Sequence, residues 1–309
     1  MRFSIYQESR KGGRKTNQDR MGYCFSRDAL LMVVADGMGG HVQGDMAAQI
    51  AVQTVGSLFQ QQATPLLKSP QRFLESSILD AHQQILHYRT ANKLSESPRT
   101  TIVACIVQNG AACWAHVGDS RLYWIRRREI IAQTRDHSKI QSMILQGLAS
   151  PAEIDKHPDR NKLFNCLGSP EVPSVELSRK MTLQPGDTLF LCTDGLWSAV
   201  SDDAIATAFT DNTVMRAAPD LIAAALAEAG GEADNVTGLA MGWEGADLDE
   251  EQGVSTIAMP LGAITTTIDH LRPTQLGTSQ SPMTDSEIER AIDDIRSSIR
   301  KSNKLMPKI

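Results

Sequence analysis

No apolar run in this 309-residue chain is long enough to cross a bilayer. The first residues, Met1-Arg2-Phe3-Ser4-Ile5-Tyr6, lack the apolar core and cleavage site of a secretory leader and read as a strand. No Cys-x-x-Cys spacing occurs, and the five cysteines, Cys24, Cys105, Cys113, Cys166 and Cys192, are odd in number and set in apolar runs. That pattern is expected of reduced core residues in a cytoplasmic protein rather than of a disulfide framework. None of the five has an arginine six positions later, so the Cys-x5-Arg loop of a thiol nucleophile is missing too. There is no basic excess: the net charge is −5 and the pI about 5.8. Nucleic acid and anionic membrane are therefore not expected partners. No internal repeat is found. A content of 41% hydrophobic and 22% charged residues suits a globular chain with one large domain or two small ones.

What is present centres on Val33-Val34-Ala35-Asp36-Gly37-Met38-Gly39-Gly40-His41. A buried strand stops at a carboxylate, and glycine lets the backbone turn sharply beside it. One Asp-Gly alone is an ordinary strand-to-helix turn. It becomes informative when other carboxylates arrive at the same edge. Residues 20–26 and 30–35 read as an antiparallel hairpin, so Asp19, which opens one strand, should lie beside Asp36, which closes the next. Further along, Ala112–Val117 ends at Gly118-Asp119, and Thr188–Thr193 ends at Asp194-Gly195. Asp234 directly precedes the last core strand, Val236–Trp243. By connectivity all five aspartates reach one rim.

Helical periodicity covers residues 43–59 and 71–90, where His82 and His87 read as solvated. Asn109-Gly110 signals a hairpin between residues 100–108 and 112–117. Residues 136–170 are irregular, with a helix expected at 137–147 and a short one at 151–157, and form either a cover over the site or a surface excursion. A strand is expected at 175–181 and a Ser201-capped helix to about Phe209. Pro219 fits the first turn of a helix that runs to Ala229. Residues 245–284 read as a linker. Thr284-Asp285-Ser286-Glu287 is a capping box for an amphipathic helix at 285–303, with Ile288, Ile292, Ile295 and Ile299 on one stripe. That stripe suits packing on its own domain or on a partner.

Five unpaired carboxylates at one rim must take up protons or bind cations. All-oxygen donors favour Mg²⁺ or Mn²⁺ over zinc. Two such ions about 3.5–4 Å apart activate a bridging water and clamp a phosphoryl group. Arg14, five residues before Asp19, has the planar fork that matches phosphate oxygens.

The ordered set Arg14…Asn17-Gln18-Asp19, Asp36-Gly37-Met38-Gly39-Gly40-His41, Thr100-Thr101, Val117-Gly118-Asp119-Ser120-Arg121, Cys192-Thr193-Asp194-Gly195-Leu196-Trp197 and Asp234-Asn235-Val236-Thr237 resembles the bacterial branch of the PP2C-type (PPM) metal-dependent serine/threonine phosphatases. Each dipeptide is weak alone; six in order over residues 1–244 are specific. The resemblance implies an α+β fold, a four-layer αββα sandwich of two antiparallel sheets flanked by helices. It implies two core Mn²⁺ or Mg²⁺ ions held by Asp36, the Gly37 carbonyl, Asp194 and Asp234, with Asp19 acting through water. Asp119 corresponds to a position that, with Asp194, holds a third, weaker ion. Arg14 matches the phosphate-binding arginine, and residues 138–170 correspond to a flap. Eukaryotic relatives carry a histidine directly after the Asp-Gly, where this chain has Met38. His41 is the available general acid, or else it caps the following helix; His116 and His137 read as structural. The implied reaction is in-line attack by a metal-bridging hydroxide on a phosphoseryl or phosphothreonyl ester. The implied substrate is a phosphorylated protein, a Ser/Thr kinase or its target, and the enzyme is expected to be a cytoplasmic monomer. A PP2C-fold binding module that has lost catalysis is the alternative. A two-metal phosphodiesterase or nuclease would call for more basic surface.

Overall fold

The computed structural model describes residues 1–38, 43–150, 162–210 and 212–245. The expected linker beyond residue 245, the helix at 285–303, the short helix at 151–157 and His41 lie outside them.

Eleven strands are found among the described residues: β1 Arg2–Arg10, β2 Asp19–Phe25, β3 Ala29–Asp36, β4 Ile102–Gln108, β5 Ala111–Val117, β6 Arg121–Arg126, β7 Glu129–Gln133, β8 Glu176–Leu177, β9 Met181–Thr182, β10 Thr188–Cys192 and β11 Val236–Gly245. They form two sheets, ordered β1-β11-β10-β6-β7 and β2-β3-β4-β5-β8, with β9 also on β5. Every pairing is antiparallel. The helices are α1 Gly44–Gln62, α2 Pro70–Ala91, α3 Lys139–Leu145, α4 Asp194–Trp197, α5 Asp202–Ala208 and α6 Val214–Ala229.

Alternation along the strands builds three cores. In β3, Met32 and Val34 point between the sheets and meet Trp124, Leu189 and Met241. Leu31 and Val33 point the other way, onto Ala47, Val55, Phe59 and Ile78 of α1 and α2. On the far side Tyr123, Phe190 and Ala240 pack against Ile205, Ala217 and Ile222 of α5 and α6. The central strands are thus covered on both faces, which is why their sequences are apolar runs rather than alternating ones. Each such side chain contributes about 1.5–3 kcal/mol of burial. The architecture is the four-layer αββα sandwich.

The Asn109-Gly110 turn has φ values of 53° and 64°, the left-handed pair that closes a two-residue hairpin. Ser201 accepts from the Ala204 amide at 3.3 Å and so caps α5. Three expectations are corrected. His82 is buried, 1% exposed, because it follows Ile78 by four and shares its inward face; its Nδ1 accepts from the Gly168 amide at 3.2 Å. His87 is exposed, as read. Helix α6 begins five residues before Pro219, at Val214, leaving the proline inside the helix. The carbonyl it fails to engage belongs to exposed Met215. The strand expected at 175–181 is two two-residue pieces on β5, Glu176–Leu177 and Met181–Thr182.

Candidate active site

The register delivers the carboxylates. Asp19 and Asp36 are direct partners in the β2–β3 pair. Ile102 faces Val117 across β4–β5, which puts Gly118-Asp119 just beyond that end. Cys192 faces Gly238 across β10–β11, so Asp194 and Asp234 leave adjacent strands on the same side. Asp36, Gly37, Asp119, Asp194, Asp234 and Arg14 all line one open cavity of about 800 Å³. Asp19 lies behind that wall, 3% exposed.

The aspartates perturb one another. Burial and the neighbouring charges of Asp19, Asp194, Asp119 and Asp234 push the Asp36 carboxyl well above its ordinary range. Asp194 is raised by burial and by Asp234, and shares a hydrogen bond with Asp36. Asp119 is raised by burial and by Asp194. Asp19 is raised mainly by burial, against hydrogen bonds from Thr237 and Thr193 that favour its ionised form. These groups suit hard divalent cations: the ligands are oxygens, they repel when ionised, and the Asp19 Oδ1 is buried without a hydrogen-bond partner.

Residues quoted in the motifs but given no role turn out to position the carboxylates. Thr237 Oγ1 donates to Asp19 Oδ2 at 2.6 Å, and Thr193 Oγ1 donates to the same oxygen at 2.8 Å. Asn17 donates to Ser9 Oγ at 2.8 Å, and Ser9 contacts Thr237 Oγ1 at 2.7 Å, which continues the chain from β1. Thr100 Oγ1 donates to the Asp36 carbonyl at 2.8 Å, while the Asp36 amide donates to Thr101 Oγ1 at 3.0 Å. Asn235 donates to the Lys11 and Thr16 carbonyls and accepts from the Gln18 amide, pinning the loop that carries Arg14. Trp197 Nε1 donates to the Asp119 carbonyl at 3.0 Å; the Arg121 guanidinium lies 3.6 Å from the Trp197 ring centroid and forks onto Asp136. The polar residue types hinted at such roles, but the partners are 65–228 positions apart in sequence in the longest links.

Arg14 donates to Asp234 Oδ2 at 2.6 Å, at the mouth of the cavity. Gly37 is a tight approach: a Cβ there would meet the Gly44 carbonyl at 2.3 Å and the Gln18 carbonyl at 2.8 Å. His41 lies outside the described residues. His116 and His137 do not line this cavity. With Glu176 they place ligand atoms within 4.8 Å of one another. However, the Gly118 amide donates to His137 Nδ1, so His137 Nε2 carries the proton and is no lone-pair ligand.

Comparison with known proteins agrees with this geometry. The family model Protein phosphatase 2C matches residues 7–229. The chain belongs to the protein phosphatase 2C family. The serine/threonine phosphatase stp of Listeria monocytogenes is 30% identical over 227 residues, covering 72% of this chain and 89% of that one. The Mycobacterium tuberculosis serine/threonine phosphatase PstP/Ppp superposes with a TM-score of 0.69 at 29% identity, covering 79% of this chain and 99% of the other. A structure of the PstP catalytic domain in complex with two manganese ions superposes with a TM-score of 0.66 at 27% identity, covering 78% and 97%.

Proposed function

We infer that this chain is a divalent-metal-dependent phosphatase acting on phosphoserine and phosphothreonine in proteins. The observation that carries the reading is the convergence of Asp36, Asp119, Asp194 and Asp234 with Arg14 on one open cavity, in a family member. Two Mn²⁺ or Mg²⁺ ions would be held by Asp36, the Gly37 carbonyl, Asp194 and Asp234, with Asp19 behind them and a third ion at Asp119 and Asp194. The bound ions supply Lewis acidity at the phosphoryl group and lower the pKa of water in the site.

The chain's own residues do the rest. Asp234 holds the Arg14 guanidinium at the cavity mouth, where its fork can receive two phosphoryl oxygens. Thr193 and Thr237 keep the Asp19 carboxylate oriented. His41 supplies a proton to the departing seryl or threonyl oxygen. The reading includes a monomeric, cytoplasmic enzyme that opposes a Ser/Thr kinase, with residues 245–309 appended to a catalytic domain at 1–244. Five unpaired, buried cysteines support a reducing compartment. Among the described residues no helix is long and apolar enough to cross a membrane.

Phosphate release from a phosphothreonine peptide with Mn²⁺, with and without chelator, tests the assignment. Chelator-sensitive release is expected, with bis-nitrophenyl phosphate a poor substrate beside nitrophenyl phosphate. Binding of phosphopeptide without release would favour the silent module, and preference for the diester would favour a phosphodiesterase.

A further inference from the structure

Lys15, Arg99 and Lys162 line the cavity beside Arg14, and of these Arg99 is the one with a buried donor left without a partner. Arg99 lines the same space as the carboxylates. Its Nε is buried and has no hydrogen-bond partner, and no carboxylate pairs with it among the described residues. Every other feature of its neighbourhood is tightly placed. The Arg99 carbonyl accepts from the Met38 amide at 3.1 Å, fixing it beside the Asp36-Gly37 turn. Thr100, next in sequence, exchanges backbone hydrogen bonds with Leu167. Pro98, on the other side, lies so close to Gly168 that a Cβ there would meet the Pro98 carbonyl at 2.0 Å. The backbone is therefore anchored at three consecutive residues, and the guanidinium it carries is close enough to bias the Cys166 thiol, another lining residue.

A desolvated donor left without an acceptor is unfavourable, and a planar guanidinium finds its best acceptors in carboxylates and phosphates. Arg14 already has one in Asp234. Arg99 is tied instead to Met38, through its carbonyl, and acts on Cys166. Once cations neutralise the aspartates, Arg99 is a positive point beside the reacting centre.

We propose that Arg99 is a specificity residue: a second anion-binding point that receives a carboxylate or a second phosphoryl group next to the scissile phosphoester in the substrate protein. This rests on the phosphatase reading and adds the substrate class, an acidic or multiply phosphorylated segment.

The test uses the full chain with Mn²⁺ and three phosphothreonine peptides that differ only beside the phosphoresidue: alanine flanks, aspartate flanks, or a second phosphothreonine. Wild type is expected to show a higher kcat/KM on the two anionic peptides, expressed mainly in KM. In Arg99→Ala the ratio of anionic to neutral peptide falls about tenfold, the worth of one charge-assisted hydrogen bond. Arg99→Lys keeps part of the ratio, which separates charge from fold. The aspartate and phosphothreonine arms tell which anion is received. A ratio unchanged in Arg99→Ala, or an equal fall on neutral and anionic peptides, overturns the proposal. Fluorescence anisotropy of the same labelled peptides reads the ratio without turnover. Absence of hydrolysis by wild type would therefore count against the phosphatase reading alone, whereas equal affinity of wild type and Arg99→Ala for the anionic peptides would count against Arg99.

Discussion

Asp19 and Asp36 face each other as register partners at the end of the β2–β3 pair, where like charges are mutually destabilising. Only Asp36 reaches the cavity; Asp19 is held behind it by two threonine hydroxyls. Among the described residues only Asp234 of the five aspartates is ion-paired, with Arg14, which leaves the other carboxylates for cations from solution.

From this follows the behaviour of Asp36→Asn and Asp194→Asn. Each removes one charge from a mutually repelling set and one oxygen donor from the proposed ion site. Phosphatase turnover at fixed Mn²⁺ should fall by at least about a hundredfold, beyond the loss typical of groups that merely support metal ligands. The metal-free variants should melt no lower than metal-free wild type at pH 8, because a raised, buried carboxylate has been neutralised. Calorimetry with a parallel assay checks both; turnover near wild type would end the assignment of these residues.

Metal should change how stability varies with pH. Asp19 is raised to about 7 and Asp194 to about 6 in the folded, metal-free chain, against an unfolded value near 3.8. Across that interval the folded state holds more protons than the unfolded one. The contribution is fully present below about pH 4 and is lost as pH rises through 6 to 7. With Mn²⁺ the carboxylates are held ionised and the sign reverses. The gain in melting temperature on adding Mn²⁺ should be larger at pH 8 than at pH 5.5. A gain independent of pH would mean that the cation binds elsewhere.

Thr237→Val removes the 2.6 Å donor to Asp19 and also the contact to Ser9. A buried carboxylate deprived of a donor costs about 1–3 kcal/mol. Because this carboxylate belongs to the proposed ion site, Mn²⁺ affinity should weaken by about tenfold or more as well. Thr193→Val strikes the same oxygen, so the two should couple in a double-mutant cycle rather than add. Additive losses would show that the threonines act on separate groups.

The rim of aspartates was legible because strand polarity alone sets which end of a strand a residue occupies. Asp19 opens β2, Asp36 closes β3, and antiparallel pairing does the rest. The double burial of β3 was legible as an uninterrupted apolar run. What escaped depends on contacts between distant segments. His82 follows Ile78 by four, so its inward face was legible and was misread; what could not be read is its partner, the Gly168 amide 86 positions away. The start of α6 escaped because Pro219 suggested a helix start while Thr213 and Val214 offered little signal. The threonine pair on Asp19 could not be assigned, since a hydroxyl beside an Asp-Gly turn reads equally well as a cap. Arg99 drew no reading from the sequence; only the fold sets it in the cavity.

The stacked pair His116–His137, with ring centroids 4.6 Å apart, should titrate below the ordinary imidazole value. Burial lowers both, and the charge of His137 lowers His116 further. Opposing this, Glu176 and Asp136 favour protonation of both rings, and the Arg135 carbonyl accepts from His116 Nε2 at 2.7 Å. The balance still lies below the ordinary 6.5, so the unfolded chain takes up protons there before the folded one does. These histidines therefore contribute full stability above about pH 6.5, and that contribution shrinks as pH falls toward their folded values. Tautomers are set by the backbone: His137 Nδ1 accepts from the Gly118 amide at 3.1 Å, while its Nε2–H faces Glu176 at 3.4 Å. Nuclear magnetic resonance titration of the imidazole carbons and nitrogens reads both statements at once. Both rings should titrate below 6.5, with the Nε2–H tautomer on His137. A ring titrating above 6.5, or an Nδ1–H tautomer on His137, would contradict this account and reopen His116, His137 and Glu176 as a cation site.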